Sequence, residues 1–168
     1  MKKSQITLSV LIVIMVVLIL GTIPASAGAE RYEFEATQNF LSFVSQDRVW
    51  ESAGIQHIRN QYLLFTVSGD VNGINNLWLN SNVNIDTGDG VMWSTIKLEL
   101  EWGGKYGTFE GKSQNSLVGG SVLNQARTHF VGKGTGDFEG MTMFAEYGFD
   151  PNVSANVLRG TILAYNND

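Results

Sequence analysis

The sequence predicts an all-β protein: a single closed eight-stranded antiparallel barrel after an N-terminal signal or anchor helix. Three observations lead there. Stretches rich in Val, Ile, Thr, Phe and Trp alternate polar and apolar residues with period two. Gly, Asn and Asp punctuate them, and beyond Pro24 the only proline is Pro151. Roughly eight such stretches follow one another at short, even spacing, the pattern of a meander that closes on itself.

The first element is not part of that domain. Lys2 and Lys3 precede an uncharged apolar run, Ile6–Leu20, and Gly21 and Pro24 then break any helix before Ala25-Ser26-Ala27-Gly28-Ala29. A positive start, an apolar middle and an Ala-x-Ala ending form a secretory signal, with cleavage expected after Ala27 and Ala29 as the second choice. The alternative is an uncleaved anchor, since Ile6–Ile23 is just long enough to cross a bilayer. Either way the following domain, residues 28–168, is expected outside the cytoplasm: secreted, or held at the outer membrane face by the N-terminal helix.

Composition narrows the function. After residue 27 the chain keeps 9 of its 11 basic residues and all 16 acidic ones, a net charge of −7. Nucleic acid demands clustered Lys and Arg, so it is not an expected partner. There are no cysteines and only two histidines, His57 and His129, so thiolate and three-histidine metal sites within one chain are excluded. No cofactor and no metal are expected.

The strands follow in order. Ile55–Val67 reads as one long strand whose apolar end is Leu63, Phe65 and Val67. Leu77, Leu79, Val83 and Ile85 share a face opposite Asn80, Asn82, Asn84 and Asp86. In Met92–Trp102 one face carries Met92, Ile96, Leu98, Leu100 and Trp102, with Ser94 between, and the other Thr95, Lys97, Glu99 and Glu101. Met141, Met143, Ala145, Tyr147 and Phe149 repeat the pattern, and Val157–Tyr165 closes the chain. Turns are expected at Ser68–Gly73, Thr87–Gly90 and Trp102–Gly107. Thr37–Trp50 fits either a strand or one helical turn.

One motif recurs. Gly107-Thr108-Phe109-Glu110-Gly111 returns as Gly136-Asp137-Phe138-Glu139-Gly140, and the two copies are expected at matching corners of the sheet, Gly bending the strand and Phe filling the core beside it. The longer run Gly134-Thr135-Gly136-Asp137-Phe138-Glu139-Gly140 resembles the Gly-Thr-Gly-acid turn of the allene oxide cyclase-like barrels, which include plant allene oxide cyclases, dirigent proteins and bacterial domains of unknown function. The likeness covers about Leu98–Ala145. It implies an eight-stranded barrel with an apolar lumen, which the plant members use for a small apolar substrate. The matched residues are turns, so no active-site role carries over with them.

Candidate binding residues come in two groups. His57 and Arg59 share a strand face with Leu63, Phe65 and Val67; pointing inward, they would sit near one mouth of the barrel, and otherwise they are solvated. Arg127 and His129 share a face as well. Were the two pairs to meet, a histidine beside Glu99, Glu101 or Glu146 would be a proton-transfer group. Trp78 and Trp93 lie opposite the clearest apolar rows; they are expected to line the core, and the alternative is an aromatic outer surface. Asp86–Gly90 lacks the ligand pattern of a calcium loop, Gly132–Gly136 lacks that of a phosphate loop, and Asn152-Val153-Ser154 is a glycosylation sequon.

The functional expectation is an exported, non-enzymatic barrel binding a small apolar ligand or a cell-surface partner. Its rivals are an isomerase or cyclase acting in the lumen, and an assembly module, homo-oligomeric through Trp78 and Trp93, whose lumen is filled by side chains.

Overall fold

The computed structural model describes residues 28–119 and 128–165. The signal or anchor segment lies outside these residues, and so does Arg127. The described residues form nine strands: β1 Glu30–Ser45, β2 Arg48–Ser52, β3 Ile55–Gly69, β4 Asn72–Asn84, β5 Gly90–Trp102, β6 Lys105–Leu117, β7 Thr128–Gly136, β8 Thr142–Asp150 and β9 Ala155–Ala164. All are antiparallel to their neighbours, in the order β1-β9-β8-β7-β6-β5-β4-β3-β2. A further β1–β3 pairing closes eight of them into a barrel and leaves β2 outside the ring. The ambiguous stretch Thr37–Trp50 is thus strand almost throughout.

Closure rests on a short seam. Ala36, Thr37 and Gln38 pair with β9 on one side and β3 on the other. From Asn39 onward β1 keeps only β3 as its neighbour and bulges twice, between Phe40 and Ser42 and between Phe43 and Ser45. β2 then continues along β3 as far as the Ala53-Gly54 turn. Such bulges disturb the free edge that would otherwise template pairing with another chain.

The period-two pattern sorts the walls as the sequence expects. In β5, Met92, Ser94, Ile96, Leu98 and Leu100 are buried, while Val91 and Thr95 are exposed. Leu77 and Leu79 of β4 face Ile96 and Ser94 across the ladder, and Met143 and Ala145 of β8 join the same interior. Ile85 and Phe149 do not: at the ends of their rows they stay 51% and 39% exposed.

The lumen is packed toward the end that carries the β3–β4, β5–β6 and β7–β8 turns. Phe109, Phe138, Leu98, Leu100, Met143 and Ile162 are at most 1% exposed there. Phe138 stacks on Phe109, ring centroids 5.0 Å apart at 12°, and tilts against Trp102. The resemblance motif is this plug. Phe138 and Glu139 donate backbone N–H to Thr135 and Gly136, Met141 donates to Phe138, and Gly136 and Gly140 adopt φ of 67° and 80°. The two motif copies therefore do not occupy matching corners. The first lies inside β6 and the second forms the β7–β8 turn; Gly107 pairs with Gly136, and the two phenylalanines meet.

Toward the other end the inner wall turns polar. Ser81, Ser94, Ser113 and Thr128 are buried, with Ser94 and Ser113 hydroxyls 2.6 Å apart and Asn115 donating to Thr128 at 2.6 Å. At the seam, Asn75 Nδ2 donates to Gln38 Oε1 at 3.0 Å, leaving Gln38 Nε2 and Asn75 Oδ1 without a described partner.

Candidate functional site

The decisive local feature is a bulge in β3. Between Ile58 and Gln61 the strand advances three residues while β4 advances two, from Ser81 to Leu79. Asn60 absorbs the extra residue at φ 50°, where its small polar side chain is tolerated. Its N–H donates to Asn80 Oδ1 at 3.1 Å and its amide to Asp47 at 2.7 Å. One extra residue inverts side-chain parity. His57 therefore does not share a face with Leu63, Phe65 and Val67; it pairs with outward-facing Asn82, while Ile58 and Gln56 turn inward. The expectation that His57 and Arg59 belong to that apolar face is corrected by this bulge.

On the outer wall these residues meet aromatics. His57 stacks on Trp50 of β2 at 4.7 Å and 17°, and its Nδ1 lies 2.8 Å from Asn82 Oδ1. The Arg59 guanidinium lies over the Trp50 ring at 5.0 Å and over Trp93 of β5 at 4.9 Å. It donates to the Ile58 and Ser81 carbonyls at 2.7 and 2.8 Å and to Asn82 Oδ1 at 2.8 Å. Arg48 covers Trp50 at 4.4 Å. One row further along, Trp78 stacks on Tyr62 at 4.8 Å and 8°, and the Tyr62 hydroxyl donates to Asn76 at 2.7 Å.

Trp78 and Trp93 thus lie outside the barrel rather than lining its core. Their cross-strand partners, Thr95 and Asn80, belong to the outer rows. Four of the six predicted residues, His57, Arg59, Trp78 and Trp93, gather on the outer wall of β3, β4 and β5. Trp50 completes the group; sequence reading missed it because Thr37–Trp50 fits either a strand or a helical turn, so the β2–β3 hairpin that pairs Trp50 with His57 was not drawn.

His129 sits on β7, which β4, β5 and β6 separate from β3, so the two predicted pairs do not come together. Its Nδ1 approaches Glu146 Oε1 at 3.6 Å. His129 borders two shallow clefts. One, of about 380 Å³, runs over Val131, Phe144 and Thr161 between Glu33, Glu146 and Arg159. The other, of about 530 Å³, is lined by Trp93, Asn80, Thr95, Lys112, Gln114 and His129. The first is crossed by ion pairs already satisfied within the protein: Arg159 binds Glu35 at 2.7 Å and Asp150 at 2.8 Å, and Glu33 accepts from Arg31 and Thr161. Those contacts hold the Glu33 carboxyl below, and the Arg159 guanidinium above, their usual ranges. In the second, the side chains of Lys112, Gln114 and Thr95 have no hydrogen bond or ion pair among the described residues. No cluster of three or more metal-ligating side chains exists among the described residues.

No family model matches the chain, and no curated protein matches it. Among solved structures it is similar to a protein of unknown function from the DUF3224 family of Shewanella oneidensis MR-1, with a TM-score of 0.62 and 10% identity, over 83% of this chain and 99% of that one. At that identity the likeness is one of fold.

Proposed function

We propose that this chain is an exported, non-enzymatic barrel related to the allene oxide cyclase-like proteins, and that it binds its partner at the cell surface with its outer wall. One observation carries the reading. The side chains able to anchor a partner, Trp50, His57, Arg59, Trp78 and Trp93, gather on the outside, while the apolar part of the lumen is occupied by the protein's own side chains. Aromatic and arginine anchors in one patch are the usual hot-spot chemistry of a binding surface. Lumen catalysis is expected to draw on polar groups such as His57 or Arg127; the β3 bulge turns His57 and Arg59 outward, which favours the outer wall. His129 and Glu146 form a pair on an open wall, with no enclosed substrate space around them.

The test uses the exported protein, labelled and added to cell envelopes. Trp93→Ala and Arg59→Ala should lower envelope binding about tenfold or more, the loss of one hot-spot residue. The inner-wall variant Met143→Leu, at a fully buried position that borders none of the outer clefts, should bind as the wild type does. Unchanged binding by both outer-wall variants, with an apolar molecule released by solvent extraction, overturns the reading. Mass spectrometry of the same material tests the export part: a start at Gly28 or Glu30 fits a cleaved signal, and retained Lys2 contradicts it.

A further inference from the structure

We infer that the cleft beside Trp93 is a binding site for an acidic carbohydrate, a short uronate-bearing oligosaccharide; this rests on the outer-wall reading and gives it a ligand. The cleft's volume, about 530 Å³, is in the ordinary range for small-ligand sites. One border is the Trp93 indole, held from the β3 strand by the Arg59 guanidinium. Arg59 is itself fixed by three hydrogen bonds, so the ring is set before any ligand arrives. The indole face turned away from Arg59 suits a pyranose, whose C–H face packs on the ring while its hydroxyls reach sideways.

The neighbours supply that sideways chemistry. Gln114 lies directly across the ladder from Trp93 on β6, and Asn80 directly across on β4. Two amides flanking one indole offer paired donors and acceptors, the match for vicinal hydroxyls. Thr95 adds a hydroxyl one row along, and Lys112 stands across from it. Asn80 is partly engaged, accepting from the Asn60 N–H, but keeps its NH₂ group.

Charge selects the acidic sugar. The chain holds 16 acidic against 11 basic residues, yet no carboxylate lines this cleft, while Lys112 and His129 do. Outside the lining, Glu146 stands beside His129, and Glu110 lies one row from Lys112 on the same face of β6. Among the described residues Lys112 makes no ion pair, so its ammonium is available to a ligand carboxylate. A single free lysine is too little for a polyphosphate or nucleic acid, which needs a cationic track. The polar lining is equally poor for a purely apolar ligand.

The test is a titration of the exported protein with short oligogalacturonides, followed by tryptophan fluorescence and calorimetry. Methyl-esterified oligomers of the same length and a neutral oligosaccharide are the controls. Saturable binding is expected, weakened several-fold by esterification. Lys112→Gln should lower affinity about three- to fivefold, as for one exposed charge pair. Trp93→Ala should lower it at least about tenfold. Gln114→Ala, at an exposed position that bears no core contact, provides a second variant should Trp93→Ala fail to fold. No binding, or equal affinity for the esterified oligomers together with an unchanged Lys112→Gln, overturns the inference. Loss of envelope binding in Trp93→Ala without any oligogalacturonide affinity overturns the carbohydrate assignment while leaving the outer-wall function standing.

Discussion

A double-mutant cycle at the β6–β7 ladder tests how the lumen is filled. Gly111 and Gly132 are direct cross-strand partners, and the Phe130 ring lies over both. A methyl added at Gly132 would meet Phe130 Cζ at 2.5 Å and Cε1 at 2.7 Å, with Phe109 Cβ at 3.0 Å. A methyl at Gly111 would also meet the ring, Cε2 at 2.8 Å, but first the backbone oxygen of Val131 at 2.0 Å. The two glycines therefore differ in what obstructs them: a removable ring for one, main chain for the other. Phe130 is 2% exposed, so Phe130→Ala should cost about 3–5 kcal/mol. Gly132→Ala should cost roughly 1–2 kcal/mol, overpacking less the entropy saved in the unfolded chain. In the combined variant the methyl enters space the ring has left. The double mutant should then be more stable than the sum of the singles by about 1–2 kcal/mol, a clear coupling. Gly111→Ala should show no such rescue, its coupling to Phe130→Ala staying within about 0.5 kcal/mol. Urea unfolding at unchanged m-value measures the free energies of the wild type and the five variants. Additivity at Gly132, or rescue at Gly111, would refute the aromatic-cover account.

Two further outcomes follow from polar groups. Asn75→Leu alone should destabilise by about 1–3 kcal/mol, because Gln38 loses its one described partner, whereas Gln38→Met with Asn75→Leu should be close to neutral in urea unfolding; equal losses in both would contradict this. Asp150 is held below its usual carboxylate range, first by the Asn152 backbone N–H and then by the Arg159 guanidinium. Its folded pKa is thus below its unfolded one. The stability it confers is present above the unfolded value and drains away as pH falls through the folded value. Asp150→Asn should flatten the acid side of a Tm–pH curve, and an unaltered acid limb would count against the assignment.

The regular strands were legible because one wall of each is buried and the other is not. The Met92–Trp102 alternation reads directly onto inside and outside, and the Gly-Gly pair sits in the turn at Gly103-Gly104, whereas the β4–β5 turn falls at residues 85–87 with Gly88 at φ 74°, just before Asp89-Gly90. Part of what stayed hidden is local: with Arg48–Ser52 not read as a strand, the hairpin that sets Trp50 against His57 was missed. The rest depends on register between separate strands: Lys112-Ser113-Gln114 reads as an ordinary solvated strand until Trp93 and Thr95 are placed opposite. The motif echo misled for the same reason. Two similar pentapeptides suggested equivalent corners, but pairing Gly107 with Gly136 puts them side by side. One signal was available for the bulge: Ile58 is out of step with Leu63, Phe65 and Val67, so a strand burying all four must gain or lose a residue between them.

That bulge also decides which way His57 and Arg59 point, and magnitudes show why. An unbroken β3 in phase with Leu63 would point Arg59 and His57 into the lumen. The buried polar side chains of the described residues are neutral amides and hydroxyls, so a guanidinium there would have no carboxylate. An unpaired buried charge costs several kcal/mol. Holding Asn60 in the left-handed region costs about 1–2 kcal/mol, offset in part by its bonds to Asn80 and Asp47. The bulge is therefore the cheaper solution, and it delivers Arg59 to Trp50 and Trp93 as a consequence. Asn60→Gly should keep the protein within about 1 kcal/mol of wild type, since Gly accepts this backbone freely. Asn60→Val should lose about 1–2 kcal/mol or more, because a β-branched side chain does not. Deleting Asn60 restores two-for-two pairing with Ile58 still inside, so that variant should fold with His57 still outside. Indole fluorescence would report the Arg59 cap in each case. An Asn60→Val protein as stable as Asn60→Gly, or a deletion variant that cannot fold, would mean the bulge is not what sorts the two faces of β3.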